Sequence, residues 1–287
     1  MKHPKHRRFL SLRLFLLSFF FAFLILSLFA APALVRAAEE EKPSPAAYEP
    51  DWEDRLSVLC AVRSEQGAYR RFFLLRLEPF DRILYVAPLP AELSAAAGDR
   101  QNTLRGFAGY GGVSLCAEAL RQTYGLSVDR TLSMTGMQLR DLVNRAGGVR
   151  FVLGRGYDCI DPDSGARRSY LAGDRRLDGA AFVDLLLNAE TDTRLEGVLF
   201  SGQLAAGLFN CCLRPRETEN ENGLQPLIDY MSTDLSYADY FSRADALDDI
   251  AINGRAEPVL VGGSYTGDAD FVFSEQALET LQGIFAD

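Results

Sequence analysis

Residues 14–35 form an apolar run interrupted only by Ser18, Ser27 and Pro32. A helix needs about 20 apolar residues to cross a hydrocarbon core of ~30 Å. This run is long enough, and it has no polar face along which a soluble domain would expose it. Lys2, Lys5, Arg7, Arg8 and Arg13 precede it. Positive charge on that flank keeps the N-terminus inside and exports the chain beyond the run. Val35-Arg36-Ala37 ahead of Ala38 also fits a small-residue cleavage site. The run therefore reads as a retained anchor, with a cleaved signal sequence as the alternative. The first cysteine, Cys60, is too far along the chain for a lipoprotein.

The organisation of the chain is set by this segment. Residues 1–38 hold the basic tail and the anchor or signal. Residues 39–51 (EEEKPSPAAYEPD) are acidic and Pro-rich, a short solvated linker. Residues 52–287 suit one large domain. Beyond residue 38 the chain holds 24 basic and 39 acidic residues, a net charge of −15. Such a surface repels nucleic acid, and no basic patch offsets it. Both histidines, His3 and His6, lie ahead of the apolar run. The exported part thus has no histidine for a Ser-His-Asp or Cys-His system, or for a His-ligated zinc. Catalysis there would have to use carboxylates, arginines, hydroxyls or thiols. Of the five cysteines, Cys60 and Cys116 sit in apolar runs as small core residues. Cys211 and Cys212 are adjacent, and read as a buried helix end before a vicinal disulfide.

The patterning predicts an α/β chain. Residues 56–62, 70–77 and 82–87 are apolar runs of strand length, and together they predict a β-meander. Pro88 and Pro90 are expected to end the third strand. Residues 109–112 open a helix over 113–124, with Gly125 as its cap. A strand over 129–134 leads to Thr135, the expected N-cap of a helix over 136–146. A strand over 149–153 and helices over 178–190 and 197–211 come next. After a polar break at 217–222 and a segment over 224–231, Ser236 is expected to cap a helix reaching about residue 247. Short strands are expected at 249–252 and 258–261, then a last helix capped by Ser274. Strands alternating with helices imply a mixed sheet covered by helices. Asp158, Asp161 and Asp163 read as a turn before a calcium loop, and Ser264, Tyr265 and Thr266 as a loop.

Several short motifs occur in a characteristic order. They are Leu77-Glu78-Pro79, then Phe-Ala-Gly-Tyr-Gly-Gly at 107–112, then Tyr-Gly-Leu-Ser-Val-Asp at 124–129. Leu-Val-Asn-Arg-Ala-Gly-Gly-Val at 142–149 and Leu-Asp-Gly-Ala-Ala-Phe at 177–182 come next. Ser-Thr-Asp-Leu-Ser at 232–236 and Gly-Ser-Tyr at 263–265 complete the series. In this order the chain resembles the LytR-CpsA-Psr family over nearly the whole exported part. The resemblance implies an α/β/α sandwich with a mixed central sheet, preceded by one N-terminal transmembrane helix or signal sequence. It also implies an apolar pocket for a polyprenyl chain, arginines for its pyrophosphate and aspartates for a magnesium ion. The implied activity is transfer of a glycopolymer from the lipid carrier to peptidoglycan. Arginine's permanent forked charge suits pyrophosphate, and carboxylate oxygens suit magnesium.

The chain departs from that pattern where the chemistry lies. Aligned on Pro79, the family's Arg and Asp of the second strand fall on Ala68 and Arg70. Its Pro-Arg-Asp falls on Pro88, Leu89 and Pro90. The Lys and Asn ahead of the glycines fall on Thr103 and Arg105. The Arg-x-Arg pair falls on Leu187 and Ala189. Gly197 and Gln203 stay in register, while an Asp and two arginines become Leu195, Val198 and Ser201. Each lost arginine removes a charge-assisted contact of roughly 1.5–3 kcal/mol. The pattern implies a fold kept without its catalysis, and no magnesium or other cofactor. Arg70, Arg71, Arg105 and Arg194 are the candidates to reach the old pocket mouth, where they read as surface charges first and as a relocated site second. Asp192 lies near Arg194 in sequence. The expected partners are a membrane lipid or polyprenyl-linked glycopolymer and envelope-assembly proteins, and no nucleic acid. The expected place is the outer side of the cell membrane.

Overall fold

The computed structural model describes residues 48–162, 164–213, 231–267 and 270–286. In chain order its strands and helices begin with β1 (Leu56–Arg63), β2 (Tyr69–Glu78), β3 (Ile83–Leu89), β4 (Ser94–Ala97) and β5 (Arg100–Thr103). Then come α1 (Leu104–Tyr124), β6 (Arg130–Thr135), α2 (Gly136–Arg145), β7 (Val149–Leu153), β8 (Tyr157–Ile160), β9 (Arg167–Tyr170) and β10 (Gly173–Leu177). α3 (Gly179–Asn188), α4 (Arg194–Cys212), β11 (Ser232–Thr233), α5 (Tyr237–Phe241) and α6 (Ala244–Asn253) succeed them. β12 (Arg255–Pro258), β13 (Gly263–Thr266), β14 (Asp270–Phe273) and α7 (Glu275–Phe285) end the series.

The expected meander forms: β1 pairs antiparallel with β2, and β2 with β3. β6 joins β1 in parallel and β12 joins β3 in parallel, giving the sheet order β11-β6-β1-β2-β3-β12. Central strands covered on both faces read as continuous apolar runs rather than as alternation. β2 is such a strand, buried from Phe72 to Glu78. One face turns Leu59, Ala61, Phe72, Leu74 and Ala87 toward Phe107, Cys116 and Leu120 of α1 and Leu281 and Phe285 of α7. The other turns Cys60, Leu75, Leu77 and Leu84 toward Phe209 of α4, Tyr240 of α5 and Leu247 of α6. Two helical layers on a mixed sheet make the expected α/β/α sandwich.

Local chemistry sets the ends of the helices. Thr135 Oγ1 accepts from Gln138 N while Gln138 Oε1 accepts from Thr135 N, a capping box. Ser236 and Ser274 cap α5 and α7 as the sequence predicts. The glycines at 109–112 do more than open a helix. α1 starts earlier, at Leu104, and breaks at Gly112, whose φ of 76° suits glycine. Gly202 of α4 lies against Pro88, and a Cβ there would come within 2.6 Å of the proline Cγ. That contact holds the middle of α4 close to the end of β3. Asn210 of α4 donates to Ala256 O and accepts from Ala256 N, so it covers backbone groups of the edge strand β12.

Four expectations are corrected. Pro88 does not end a strand but pairs with Phe73 inside β3. Pairing with β12 stops at Val86, so the missing N–H costs no bond on that edge. Residues 249–252 are helical within α6, where Ala246 and Ile250 are buried at helical spacing. The strand expected at 258–261 lies earlier, at β12. The helix expected from Ser236 is two helices, α5 and α6, parted at Ser242-Arg243. The hairpins β4–β5, β8–β9 and β13–β14 and the ribbon β7–β10 carry little apolar alternation, which hid most of their strands in the sequence. The segment 224–230 and Asp163 lie outside the described residues.

Arg130 at the start of β6 grips Asp239 of α5 with two bonds, Nε at 2.9 Å and Nη2 at 2.8 Å. The guanidinium hydrogen bonds, with help from Ser236, hold the Asp239 carboxyl well below the usual carboxylate range. A depressed carboxylate stabilises the fold above its unfolded pKa of about 3.9, and that stability is lost as pH falls through the folded value. Asp239→Asn is therefore expected to lower the thermal midpoint at pH 7 by about 2–4 °C, the shift of roughly 1 kcal/mol in a domain of this size. Melting curves at pH 7, 4 and 2.5 check the sign, since the gap to the unsubstituted protein should close as pH drops below 4.

Candidate functional site

The candidate site lies where β2 begins and β3 ends. A bulge shapes it: Val62 pairs with Arg71 and Arg63 with Tyr69, leaving Arg70 as the extra residue of β2. The two neighbouring arginines consequently take different partners. Arg71 donates from Nε to Leu186 O (2.8 Å) and from Nη2 to Leu187 O (3.2 Å). Those carbonyls belong to the last turn of α3, which lacks helical donors and favours a cation. Nη1 of Arg71 reaches Arg70 O at 3.1 Å. Arg70 instead sends Nη1 toward Asn188 Oδ1 at 3.4 Å. It lines a polar cavity of about 330 Å³ with Glu65, Arg140, Asp161, Arg168 and Asp184.

Around Arg71 a charged cluster assembles from distant parts of the chain. Arg105, in the first turn of α1, donates to Glu92 Oε1 (2.7 Å) and to Tyr69 O (3.2 Å). Arg194, the first residue of α4, lies with its guanidinium 5.4 Å from the centre of the Tyr265 ring on β13. Tyr265 feels Glu92, Arg194, Arg71 and Arg105 together. Burial, then Glu92, raises its pKa, and its buried hydroxyl has no hydrogen-bond partner among the described residues. Burial pushes the Arg71 guanidinium down to about 10. Three guanidiniums against one carboxylate leave a net positive spot on an acidic domain. Such a spot can hold an anion.

Of the four sequence candidates the structure thus gathers Arg71, Arg105 and Arg194, while the head of Arg70 turns to Asn188 and the polar cavity. Asp192 does not serve Arg194: it pairs with Arg155 at 3.1 Å, as Glu196 does at 2.6 Å. The reading of residues 264–266 as a loop is corrected, since they belong to β13 and bring Tyr265 into the cluster. Glu92 and Tyr265 carry no local signal. They meet because Phe271 N, on the strand paired to β13, donates to Glu92 O.

The positions that depart from the family pattern are mostly turned inward or used by the backbone. Leu89 is 2% exposed, pairs with Phe72 and belongs to the main core, as does Val198 at 8%. Ser201 is 1% exposed and donates its hydroxyl to Val198 O at 2.6 Å. Pro90 is buried and its carbonyl accepts from Leu93 N. Thr103 caps α1 through Gly106 N. Leu187 lines the polar cavity, Leu195 packs on the core, and Ala189 bridges to Cys159. Ala68 is exposed, in the turn between β1 and β2.

The positions where the family pattern places aspartates hold a guanidinium, Arg70, a proline ring, Pro90, and an alkyl chain, Leu195. None offers an oxygen ligand from its side chain, so this donor set does not fit a magnesium ion. Asp158 accepts from Ser169 and Asp161 from Ser164. Among the described residues no three His, Cys, Asp or Glu side chains are grouped to hold a metal. Burial raises the thiols of Cys60, Cys116 and Cys159 to about 12, which keeps them inert. Cys211 and Cys212 are not joined to each other.

The cluster's two kinds of arginine should separate by stability. Arg71→Met keeps the apolar stem but strands the α3 carbonyls, and is expected to cost about 2 kcal/mol. Arg105→Ala and Arg194→Ala remove exposed groups and should each cost below about 1 kcal/mol. Urea unfolding midpoints at constant slope measure the difference.

No family model and no curated protein matches the chain. Solved structures do match. One from Eubacterium siraeum superposes with a TM-score of 0.74 at 13% identity, over 85% of this chain and 95% of that one. TagT bound to LI-WTA superposes at 0.63 with 16% identity, over 83% of this chain and 94% of that one. The LytR-CPS2A-psr family protein YwtF (TagT), with bound octaprenyl pyrophosphate lipid, superposes at 0.59 with 16% identity, over 83% of this chain and 93% of that one. At such identities the likeness speaks for the backbone alone. In its backbone this chain has the fold of the LytR-CpsA-Psr family, the one that its sequence motifs resemble.

Proposed function

We propose that this is a membrane-anchored envelope protein whose LytR-CpsA-Psr-type domain binds an anionic glycopolymer, lipid-linked or free, without transferring it. The observation that carries the reading is the burial of Leu89 and Val198 in the core, at positions where the family pattern expects charge. A phosphate cannot be held by side chains that are themselves desolvated hydrocarbon. Arg71, the most deeply set cation near them, already serves the end of α3. The cations that reach solvent beside Tyr265 are Arg105, which also bonds Glu92, and Arg194. In this reading the apolar run at 14–35 holds the protein at the membrane, with the domain outside, where envelope-assembly proteins are its partners.

The apolar space supports the same reading. A cavity of about 130 Å³ lies between the sheet and α4–α6, lined by Leu56, Val58, Leu75, Leu132, Phe209 and Leu247. That is close to the ~150 Å³ of an apolar cavity that takes up benzene. A long prenyl chain would need α5 and α6 to move away from the sheet.

A second reading, a transferase working through relocated arginines, is favoured by the convergence of Arg71, Arg105 and Arg194. One assay separates the two. The purified protein is given a polyprenyl-pyrophosphate-linked glycopolymer, peptidoglycan and magnesium. Binding of the polymer without covalent product is expected, weakened roughly tenfold or more by Arg105→Ala with Arg194→Ala, as two charge-assisted contacts imply. Product formation that disappears in the double variant would establish the transferase instead.

A further inference from the structure

The other end of the sheet carries an uncovered group of aromatic rings. Trp52, the only tryptophan of the protein, starts the short 3-10 turn Trp52–Asp54 and is 64% exposed. Its ring lies 4.5 Å from that of Phe80, in the turn between β2 and β3, which is 42% exposed. The Arg55 guanidinium sits 3.8 Å from the centre of the indole and 5.5 Å from that of Phe80. Arg55 is itself fixed by Glu78, with Nε and Nη2 within 3.0 Å of Oε1. The pair of rings is therefore braced from below and open above. On α5, Tyr237 and Phe241 stack on each other and are also exposed. Arg243, two residues on, donates to the carbonyls of Glu53 and Arg55, which ties α5 to the Trp52 turn.

An exposed apolar group of this kind, held in place rather than left loose, marks a contact surface. We propose that it docks on the bilayer interface, with Trp52 and Phe80 seated at headgroup depth. Two observations favour that occupant. Indole rings suit the interface, where an apolar body and a polar N–H both find a partner. The apolar run ends at Val35, and only residues 36–51 separate it from Trp52, a contour of at most about 55 Å. A tether that short keeps the rings within reach of the membrane. The neighbouring side chains are acidic (Asp51, Glu53, Asp54 and Asp81) and would repel anionic headgroups, so the contact is made by ring insertion. The inference rests on residues 14–35 being a membrane anchor.

The single tryptophan makes the test direct, because the anchor itself contributes no indole signal. The full chain is reconstituted in nanodiscs of phosphatidylcholine, with or without brominated acyl chains, and washed in high salt and alkaline carbonate. Docking predicts that bromination quenches Trp52 emission about twofold or more, as interfacial depth implies. Phe80→Ser with Phe241→Ser should remove most of that quenching. A protein that stays in the discs while Trp52 is unquenched overturns the docking and leaves the anchor standing. Blue-shifted but unquenched emission also overturns it, because the rings are then covered by protein, such as a second copy. A protein that washes out of the discs overturns the anchor, and the docking with it.

Discussion

Burial of β2 on both faces is the constraint on which the rest of the structure depends. A strand that meets no solvent must bond along both edges and be covered above and below, which calls for β1, β3 and two helical layers together. It also dictates what each charged residue on the strand must do. A buried charge without a partner is expensive, and most of the polar atoms of these residues bond to a neighbouring element, Nε of Arg76 being an exception. Arg76 donates to Ser57 Oγ at 2.8 Å. Glu78 accepts from Arg55. At the opposite end Arg71 enters the last turn of α3. These pairings fasten β1 and α3 to the centre of the sheet, and they bring the elements of the candidate site to one place.

The emptied site is best understood as a change in what that end of the sheet does. Charge at Leu89, Val198 and Ser201 would leave several groups to be satisfied by a ligand or by each other. With hydrocarbon there, the positions contribute to folding whether or not a ligand is bound, at roughly 25 cal/mol per Å² removed from water. Full burial of a leucine or valine contributes about 1.5–3 kcal/mol on that scale. A site of this kind no longer needs a phosphate or a metal to neutralise it. In the proposed reading anion binding falls to the exposed groups Arg105 and Arg194, whose strength is limited by solvent.

The strands and helices that build the fold were largely legible in the sequence, for a physical reason. Continuous apolar runs of strand length, such as 56–62 and 70–77, have few alternatives once they lie beside glycine and capping residues. Thr135 with Gln138, and Ser274 ahead of Ala277, fix helix starts by chemistry local to four residues. Short polar ribbons such as β8–β9 lack that signal, because both faces of the hairpin are partly wet. The α6 segment at 249–252 misled for the opposite reason: four residues cannot distinguish a period of 2 from one of 3.6. The site was legible only in part. Arg71, Arg105 and Arg194 stood out as charges near family positions, but the bulge that sends Arg70 another way is a matter of register. Glu92 and Tyr265 are set by long-range pairing that no local pattern encodes.

The two ends of the sheet divide the work between them. β2 runs from the arginine cluster at Tyr69 to the aromatic rings beyond Glu78, ten residues that span roughly 30 Å at about 3.3 Å each. With the Trp52 end on the bilayer and β2 upright on it, the cluster would stand about that far from the headgroups. The Debye length in physiological salt is about 8 Å, so Arg105 and Arg194 would not sense the lipid phosphates at all. An anion would then have to be lifted out of the membrane to reach them, or meet them from the wall side. Lifting a prenyl tail exposes its hydrocarbon to water at about 0.8 kcal/mol for every CH₂ left uncovered, and the cavity beneath the sheet shelters only a few carbons. A glycopolymer already free of its lipid faces no such penalty. In the proposed reading the cluster therefore takes ligands on the wall side, and the aromatic end takes the membrane.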